Sequence, residues 1–238
     1  MTSYPPKFAA NRLLAALPTK EREQLIRQCD LIQLHFADVL YSVGDSIRHV
    51  YFPTGGYISL LTPLEAGARL EIGQVGNEGM LGTSLLLEVD IAPFQAMVQG
   101  TGSALRISAT AFIQELEKNP LLWRLLKRYL YISISQIAQS AACCRIHVVE
   151  ERLARWLLMT QDRAHSNCFH ITHIVMACML GVRRVGITKA ASALQRQNII
   201  SYQRGNIEII DRIGLENAAC NCYELEKQIY ETIMTPTL

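Results

Sequence analysis

The chain has little charge and almost no excess of either sign. Asp, Glu, Lys and Arg make up 18% of its 238 residues, and the formal net charge is +2. A balance so close to zero carries no argument for or against nucleic acid by itself. Half of the residues are hydrophobic, which excludes wholesale disorder. No run reaches the roughly 18 apolar residues of a membrane span, and the opening MTSYPPKF lacks the apolar core of a secretion signal. A cytoplasmic protein with no membrane partner is expected. Internal repeats, low-complexity tracts and long linkers are missing too. Neither a phosphate loop, nor a nucleophile elbow, nor a pair of metal ligands at i, i+4 on a helix is read, so the expectation is no catalytic residue, no metal, no cofactor and no enzyme.

Seven cysteines are present, Cys29, Cys143, Cys144, Cys168, Cys178, Cys220 and Cys222. They form an odd set without the paired spacing of a zinc site, and in a reducing compartment thiols are the default, so no structural disulfide is expected. Cys220-Asn221-Cys222 and the adjacent Cys143 and Cys144 leave metal binding or oxidation sensing open beside plain thiols. His165, His170 and His173 flank Cys168 at spacings of five and three.

What the chain does have is a stretch, Thr172 to Gln197, that reads as a helix-turn-helix. A short apolar helix over Thr172 to Met179 leads to a turn at Leu180-Gly181-Val182, and a second helix opens on Arg183 and Arg184. Ala177 falls where the two helices approach most closely, and Gly181 where the backbone needs φ > 0. Met176, Leu180, Val182 and Ile187 fill apolar slots, leaving Arg183, Arg184, Thr188 and Lys189 on the other face, as a major-groove helix requires. Residues 145 to 212 also hold ten basic residues (Arg145, Arg152, Arg155, Arg163, Arg183, Arg184, Lys189, Arg196, Arg204, Arg212) against five acids (Glu150, Glu151, Asp162, Glu208, Asp211). Positive charge is thus concentrated around the motif.

The length suits one large or two small domains. Leu13, Leu14 and Leu17 precede Pro18, after which Thr19 is expected to cap a helix carrying Leu25 and Ile26. From Leu31 short β-type runs follow: Leu31 to Leu34, Val39 to Tyr41, Val50 to Phe52, Tyr57 to Leu61, Leu70 to Ile72 and Ala96 to Val98. Gly44-Asp45, Pro53-Thr54-Gly55-Gly56, Gly67, Gly73 to Gly79 and Gly100 to Gly102 separate them, which indicates an antiparallel sandwich or roll. Asn119-Pro120 then starts a long helix to about Cys144. Trp123, Leu126, Leu130, Ile134, Ile137, Ala141 and Cys144 recur on it at steps of three and four, a seam that predicts a parallel dimer. Val148 to Thr160 is expected as a helix with Leu153, Trp156, Leu157 and Leu158 inward and Glu150, Glu151, Arg152 and Arg155 outward. Ile199 to Tyr202 and Ile207 to Ile210 flank Gln203-Arg204-Gly205-Asn206, a hairpin that makes a wing with Arg204 at its tip. Leu215 to about Met234 closes the chain as one helix.

This order of parts resembles the bacterial cyclic-AMP receptor protein and fumarate-nitrate regulator (Crp/Fnr) family of transcription factors, from about Leu31 to Asp211. The resemblance is carried by Thr172 with Leu180-Gly181-Val182-Arg183-Arg184, by Ile199-Ile200-Ser201-Tyr202, and by Gly44-Asp45 and Tyr51-Phe52. It implies an α+β fold: an N-terminal sensory β-roll over residues 1–118, a dimerisation helix over 119–145, and a winged helix-turn-helix DNA-binding domain with a C-terminal helix over 146–238. The implied partners are a pseudo-palindromic double-stranded DNA site, a second copy of the chain, RNA polymerase and an unidentified small-molecule effector. Carried over residue by residue, Arg184 matches the guanine-reading arginine, Lys189 a later basic position and Thr172 a phosphate contact, whereas Val185 stands where the family has a base-reading glutamate. Gly76-Asn77-Glu78-Gly79-Met80-Leu81-Gly82 matches the glycine-rich turn of the effector site. Between Arg69 and Arg106 there is no Arg or Lys, so the family's usual counter-charge for cyclic AMP is missing. Only Cys29 precedes residue 143, which fails to match an N-terminal iron-sulfur site, and His35, His49 and His147 are read as structural rather than haem ligands. The reading from another class is a small-molecule-binding module that acts through protein contacts, with the helix-turn-helix as a docking surface.

Overall fold

The computed structural model describes residues 11–65 and 68–235. The opening MTSYPPKF and the expected turn at Gly67 lie outside them. In chain order the elements are α1 (Arg12–Ala15), α2 (Thr19–Ile26), β1 (Asp30–Leu34), β2 (Val39–Tyr41), β3 (His49–Pro63), β4 (Arg69–Val75), a 3-10 turn (Thr83–Leu87), β5 (Gln95–Ser108), α3 (Ala109–Lys118), α4 (Pro120–Ile146), α5 (Val149–Ala164), β6 (Cys168–His170), α6 (His173–Leu180), α7 (Arg184–Arg196), β7 (Ile200–Gln203), β8 (Asn206–Ile209), α8 (Arg212–Ala218) and α9 (Cys222–Met234).

The first sheet runs β1-β5-β3-β4 with β2 also on β5, and every pairing is antiparallel. Two long strands replace the expected set of short ones. Pro53 to Gly56 is not a turn: β3 continues through it opposite β5, with register shifts between Pro53 and Gly55 and again to Tyr57 and Ile58. Gly100 to Gly102 likewise lie within β5, facing this same stretch. The glycines mark an irregular ladder that bends two strands together into a roll, not the ends of strands. Inside the roll Phe52 and Phe112 lie 6.4 Å apart, tilted, with Leu34, Val50, Ile58, Leu105 and Ile107 fully buried around them.

Side-chain caps fix where the helices after the roll begin. Ser108 accepts from the Ala111 N–H at the start of α3, and Asn119 from the Leu122 N–H at the start of α4, where Pro120 occupies the first turn. The cap expected from Thr19 is absent from α2, where Thr19 is already helical and Pro18 precedes it without a side-chain bond. Helix α4 then lays Leu122, Leu125, Leu126 and Tyr129 on the roll.

Helix α5 is buried on nearly every side, which overturns the outward placement of Arg152 and Arg155. Both are 8% exposed. The reason is that α5 packs against α7, α8, α9 and strands β3 and β5, and the side chains on its polar face meet Ser140, Cys144, Leu180 and Glu226 instead of solvent. Arg152 donates to the carbonyl of Leu180 and, at 3.2 Å, to Cys144 Sγ; Arg155 pairs with Glu226. The expected closing helix is two. Asp211 caps α8 through the Gly214 N–H, the chain breaks at Ala219, and α9 turns back along α4, where the Tyr230 hydroxyl donates to the Glu78 carbonyl at 2.9 Å. The C-terminal helix therefore joins the third segment of the chain to the roll.

Candidate nucleic-acid interface and effector turn

Helices α6 and α7 form the expected helix-turn-helix. Thr172 is the N-cap of α6, its hydroxyl oxygen accepting from the Val175 N–H at 3.3 Å. Gly181 ends the helix at φ +62°, and a Cβ there would lie 2.7 Å from Leu70 Cδ1 of the roll. Only glycine satisfies both the left-handed backbone and the close approach of β4. Met176, Ala177, Leu180, Ile187, Ala190, Ala191 and Leu194 close the core beneath. On the outer face Arg183, the N-cap of α7, and Arg184, Val185, Thr188 and Lys189 are exposed, Val185 to 59%.

These five residues do not stand alike. The Thr188 hydroxyl donates to the Arg184 carbonyl at 3.1 Å and lies 3.1 Å from His173 Nδ1. It ties α7 to α6 and is occupied within the protein. The wing is the hairpin β7-β8, with Arg204 at φ +50° and Gly205 at φ +86° at its tip. Strand β6 pairs with β8 and makes a three-stranded sheet that the sequence reading missed, since Cys168 to His170 carries no β-branched residue. Of the ten basic residues counted around the motif, Arg152, Arg155 and Arg163 are buried and Arg212 bridges Asp162 at 2.6 Å and Glu216 at 2.9 Å. Arg145, Arg183, Arg184, Lys189, Arg196 and Arg204 are exposed. Much of the apparent basic excess holds the domain together.

The effector turn is divided. Met80, Leu81 and Gly82 line a cavity of about 70 Å³ between the roll and α4, closed by Tyr41, Val75, Phe94, Tyr129 and Ile137. Gly76, Glu78 and Gly79 do not line it. Glu78 accepts from Arg163 Nε of α5 at 2.7 Å and from the Gly76 N–H at 3.2 Å. The Tyr129 hydroxyl occupies the place of a side chain on Gly79, and the Asn11 amide donates to the Gly79 carbonyl at 2.9 Å. A cavity of this size is several-fold below the roughly 300 Å³ of a small-molecule site, and no cation lines it. Glu78, paired with Arg163, lines instead a cleft of about 290 Å³ together with Arg12, Asn77 and Arg212. Burial pushes the Cys29 thiol up to about 12, and its Sγ donates to the Leu25 carbonyl at 3.3 Å.

On the long helix the expected seam is split as well. Leu126 is 0% exposed in the roll core, Trp123 and Leu130 pack against that core, and Ile137 lines the cavity. Ile134 (58% exposed), Ala141 and Cys144 are exposed, as are Lys127, Tyr131, Ala138 and Arg145 beside them, and this is the stripe of α4 that the fold leaves open. The periodicity recorded two adjacent faces as one. The histidine-rich stretch does not converge: His170 bonds Asn206, and His173 stacks on Tyr202 at 4.3 Å. Overlooked in the sequence was the pair Cys143 and His147, which do stand at i, i+4 at the end of α4; reading the histidines singly hid it.

Residues 151–218 match the family model of the Crp-like helix-turn-helix domain. Solved structures with similar folds include FixK2 from Bradyrhizobium japonicum (16% identity, 81% of this chain and 98% of that one, TM-score 0.68). Others are the c-di-GMP responsive global regulator CLP of Xanthomonas campestris (14%, 81% and 99%, 0.67) and a CRP/FNR family transcriptional regulator from Thermus thermophilus (20%, 80% and 98%, 0.66). A comparison with curated protein sequences gives no match. The chain carries a Crp-like helix-turn-helix domain, and its overall fold, roll, long helix and winged helix-turn-helix, is that of the Crp/Fnr regulators. No helix among the described residues is long and apolar enough to cross a membrane.

Proposed function

We propose that the protein is a homodimeric, sequence-specific DNA-binding transcription regulator in which the roll sets the geometry of two winged helices. The observation that carries this reading is the face of α7. Arg183, Arg184, Val185 and Lys189 are exposed together on a helix whose opposite side is fully buried, with Arg204 on the neighbouring wing tip. Arg184 makes the bidentate guanine contact, worth about 1 to 3 kcal/mol of discrimination. Val185 offers a methyl surface to thymine where a carboxylate would accept from cytosine. Arg183, Thr172 and Arg204 hold phosphates and set register, Thr172 by donating a hydroxyl hydrogen that its capping bond leaves free. Thr188 positions α7 against α6. Two such helices about 34 Å apart read a pseudo-palindrome.

The effector is not a cyclic nucleotide held in the usual way, because Glu78 is paired with Arg163 and no Arg or Lys stands between Arg69 and Arg106 to meet the phosphate. RNA polymerase is the partner through which binding alters transcription, and the protein acts without catalysing a reaction. Binding of labelled genomic fragments by fluorescence anisotropy over a series of salt concentrations tests the reading. Affinity falling steeply with salt is expected; salt-independent or undetectable DNA binding favours the protein-docking module instead.

A further inference from the structure

At the end of α4, where the long helix hands over to α5, four potential metal ligands converge from two parts of the sequence. Cys143 and His147 come from α4 and its C-cap, and Cys220 and Cys222 from the link between α8 and α9. Three thiols and one imidazole nitrogen all lie within 4.8 Å of one another. Cys143 Sγ is 3.5 Å from Cys220 Sγ, and Cys222 Sγ is 3.6 Å from His147 Nδ1. Zinc bonds of about 2.3 Å to sulfur and about 2.0 Å to nitrogen place the corners of a tetrahedron about 3.5 to 3.8 Å apart. The two closest pairs already have this spacing, and the widest needs to contract by only about 1 Å.

The surroundings are those of a metal site as well. The three sulfurs form a buried cluster separate from both main cores, with Cys143 and Cys222 each 1% exposed. The Gln139 amide donates to Cys222 Sγ at 3.0 Å, and the buried Arg155 lies close enough to act on the charge of Cys143. A dication with three thiolates carries one net negative charge, and it would share the guanidinium of Arg155 with Glu226.

We propose that Cys143, His147, Cys220 and Cys222 bind a single tetrahedral zinc-class ion that staples the α8–α9 link to the hinge between α4 and α5. An iron-sulfur cluster is disfavoured because its thiolates bind different irons and spread further apart than this group. Binding replaces three S–H bonds by three metal–sulfur bonds and releases three protons to solvent, while His147 binds as a neutral imidazole through Nδ1. The staple crosses the hinge between α4 and α5, so metal occupancy stiffens one of the junctions that hold the helix-turn-helix on the long helix.

The test uses the full chain, purified under reducing conditions, stripped of metal and titrated with cobalt(II) and then zinc(II). Expected are about one ion per chain, the visible absorption of tetrahedral thiolate-bound cobalt, and its displacement by zinc. Cys143→Ser and Cys222→Ser lose that absorption, and Cys168→Ser, a surface cysteine of β6, keeps it. Titration of the wild-type chain needs no variant to fold. Absence of a tetrahedral cobalt spectrum, a spectrum unchanged in both serine variants, an iron-sulfur chromophore in freshly isolated protein, or a Cys143–Cys220 disulfide formed in place of metal binding would each overturn the assignment.

Discussion

Arg163 of α5 donates through Nε to Glu78 of the roll's glycine turn at 2.7 Å, with both side chains nearly excluded from water. This pair joins the part of the chain that carries the helix-turn-helix to the part expected to receive a signal. It also consumes the carboxylate that would otherwise face a ligand. Breaking one side of a buried ion pair strands the other charge. Arg163→Met is therefore expected to lower unfolding free energy by about 3 to 5 kcal/mol, and Glu78→Gln to be costly too, whereas the double variant Arg163→Met with Glu78→Gln loses less than either single change. Urea denaturation of the three variants measures this, and additive losses would show that the two residues act separately.

Gly181 meets two independent constraints, a φ of +62° and the side chain of Leu70. Gly181→Ala is expected to destabilise by about 1 kcal/mol or more from the backbone alone, and Leu70→Ala should recover part of that loss. A neutral Gly181→Ala in thermal denaturation would mean that the turn and the roll are not held in this contact.

The open stripe of α4 gives a dimer prediction that its periodicity alone did not. Ile134→Glu should yield a folded 26.7 kDa monomer in sedimentation, since Ile134 touches no core of its own chain. Leu126→Ala should instead cost about 2 to 5 kcal/mol of stability and leave any dimer interface intact. A chain that sediments as a monomer before mutation would remove the dimer from the account.

His173 is held below its ordinary value of 6.5, first by burial and then by Arg184. Its Nδ1 faces the Thr188 hydroxyl and its Nε2 is buried without a partner, which favours the neutral ring. Because the folded chain resists the proton, the unfolded chain takes it up first as pH falls through about 6.5. Stability from this residue is thus present above that pH and is lost below it. His173→Gln should flatten the fall in unfolding free energy between about pH 7.5 and pH 5.5; an unchanged pH profile would contradict the burial argument.

How much of this could be read from the sequence varies with the kind of constraint. Gly181, Arg204-Gly205 and the apolar spacing from Met176 to Leu194 are local signals, and the helix-turn-helix and wing follow from them. Pro53 to Gly56 misled because a bulge and a turn use the same residues, and only the partner strand distinguishes them. Arg155 looks like part of a solvated face until α9, whose return along α4 no local pattern announces, brings Glu226 to it, and Arg152 until the Leu180 carbonyl meets it. The four-ligand group was half legible, as Cys143 and His147 at helical spacing and Cys220-Asn221-Cys222, but its closure depends on that same return.

The central claim, that α7 reads DNA, is tested most directly by selecting preferred sites from random double-stranded sequences with the wild-type chain and with Arg184→Ala. The account predicts a pseudo-palindrome with half-sites about one helical turn apart, a preference for guanine that Arg184→Ala relaxes at one base pair per half-site, and thymine rather than cytosine opposite Val185. Arg204→Ala run alongside should weaken binding to every sequence and reduce the salt dependence by about one phosphate contact. Recovery of no enriched sequence, or of the same sequence from wild type and Arg184→Ala, would contradict it.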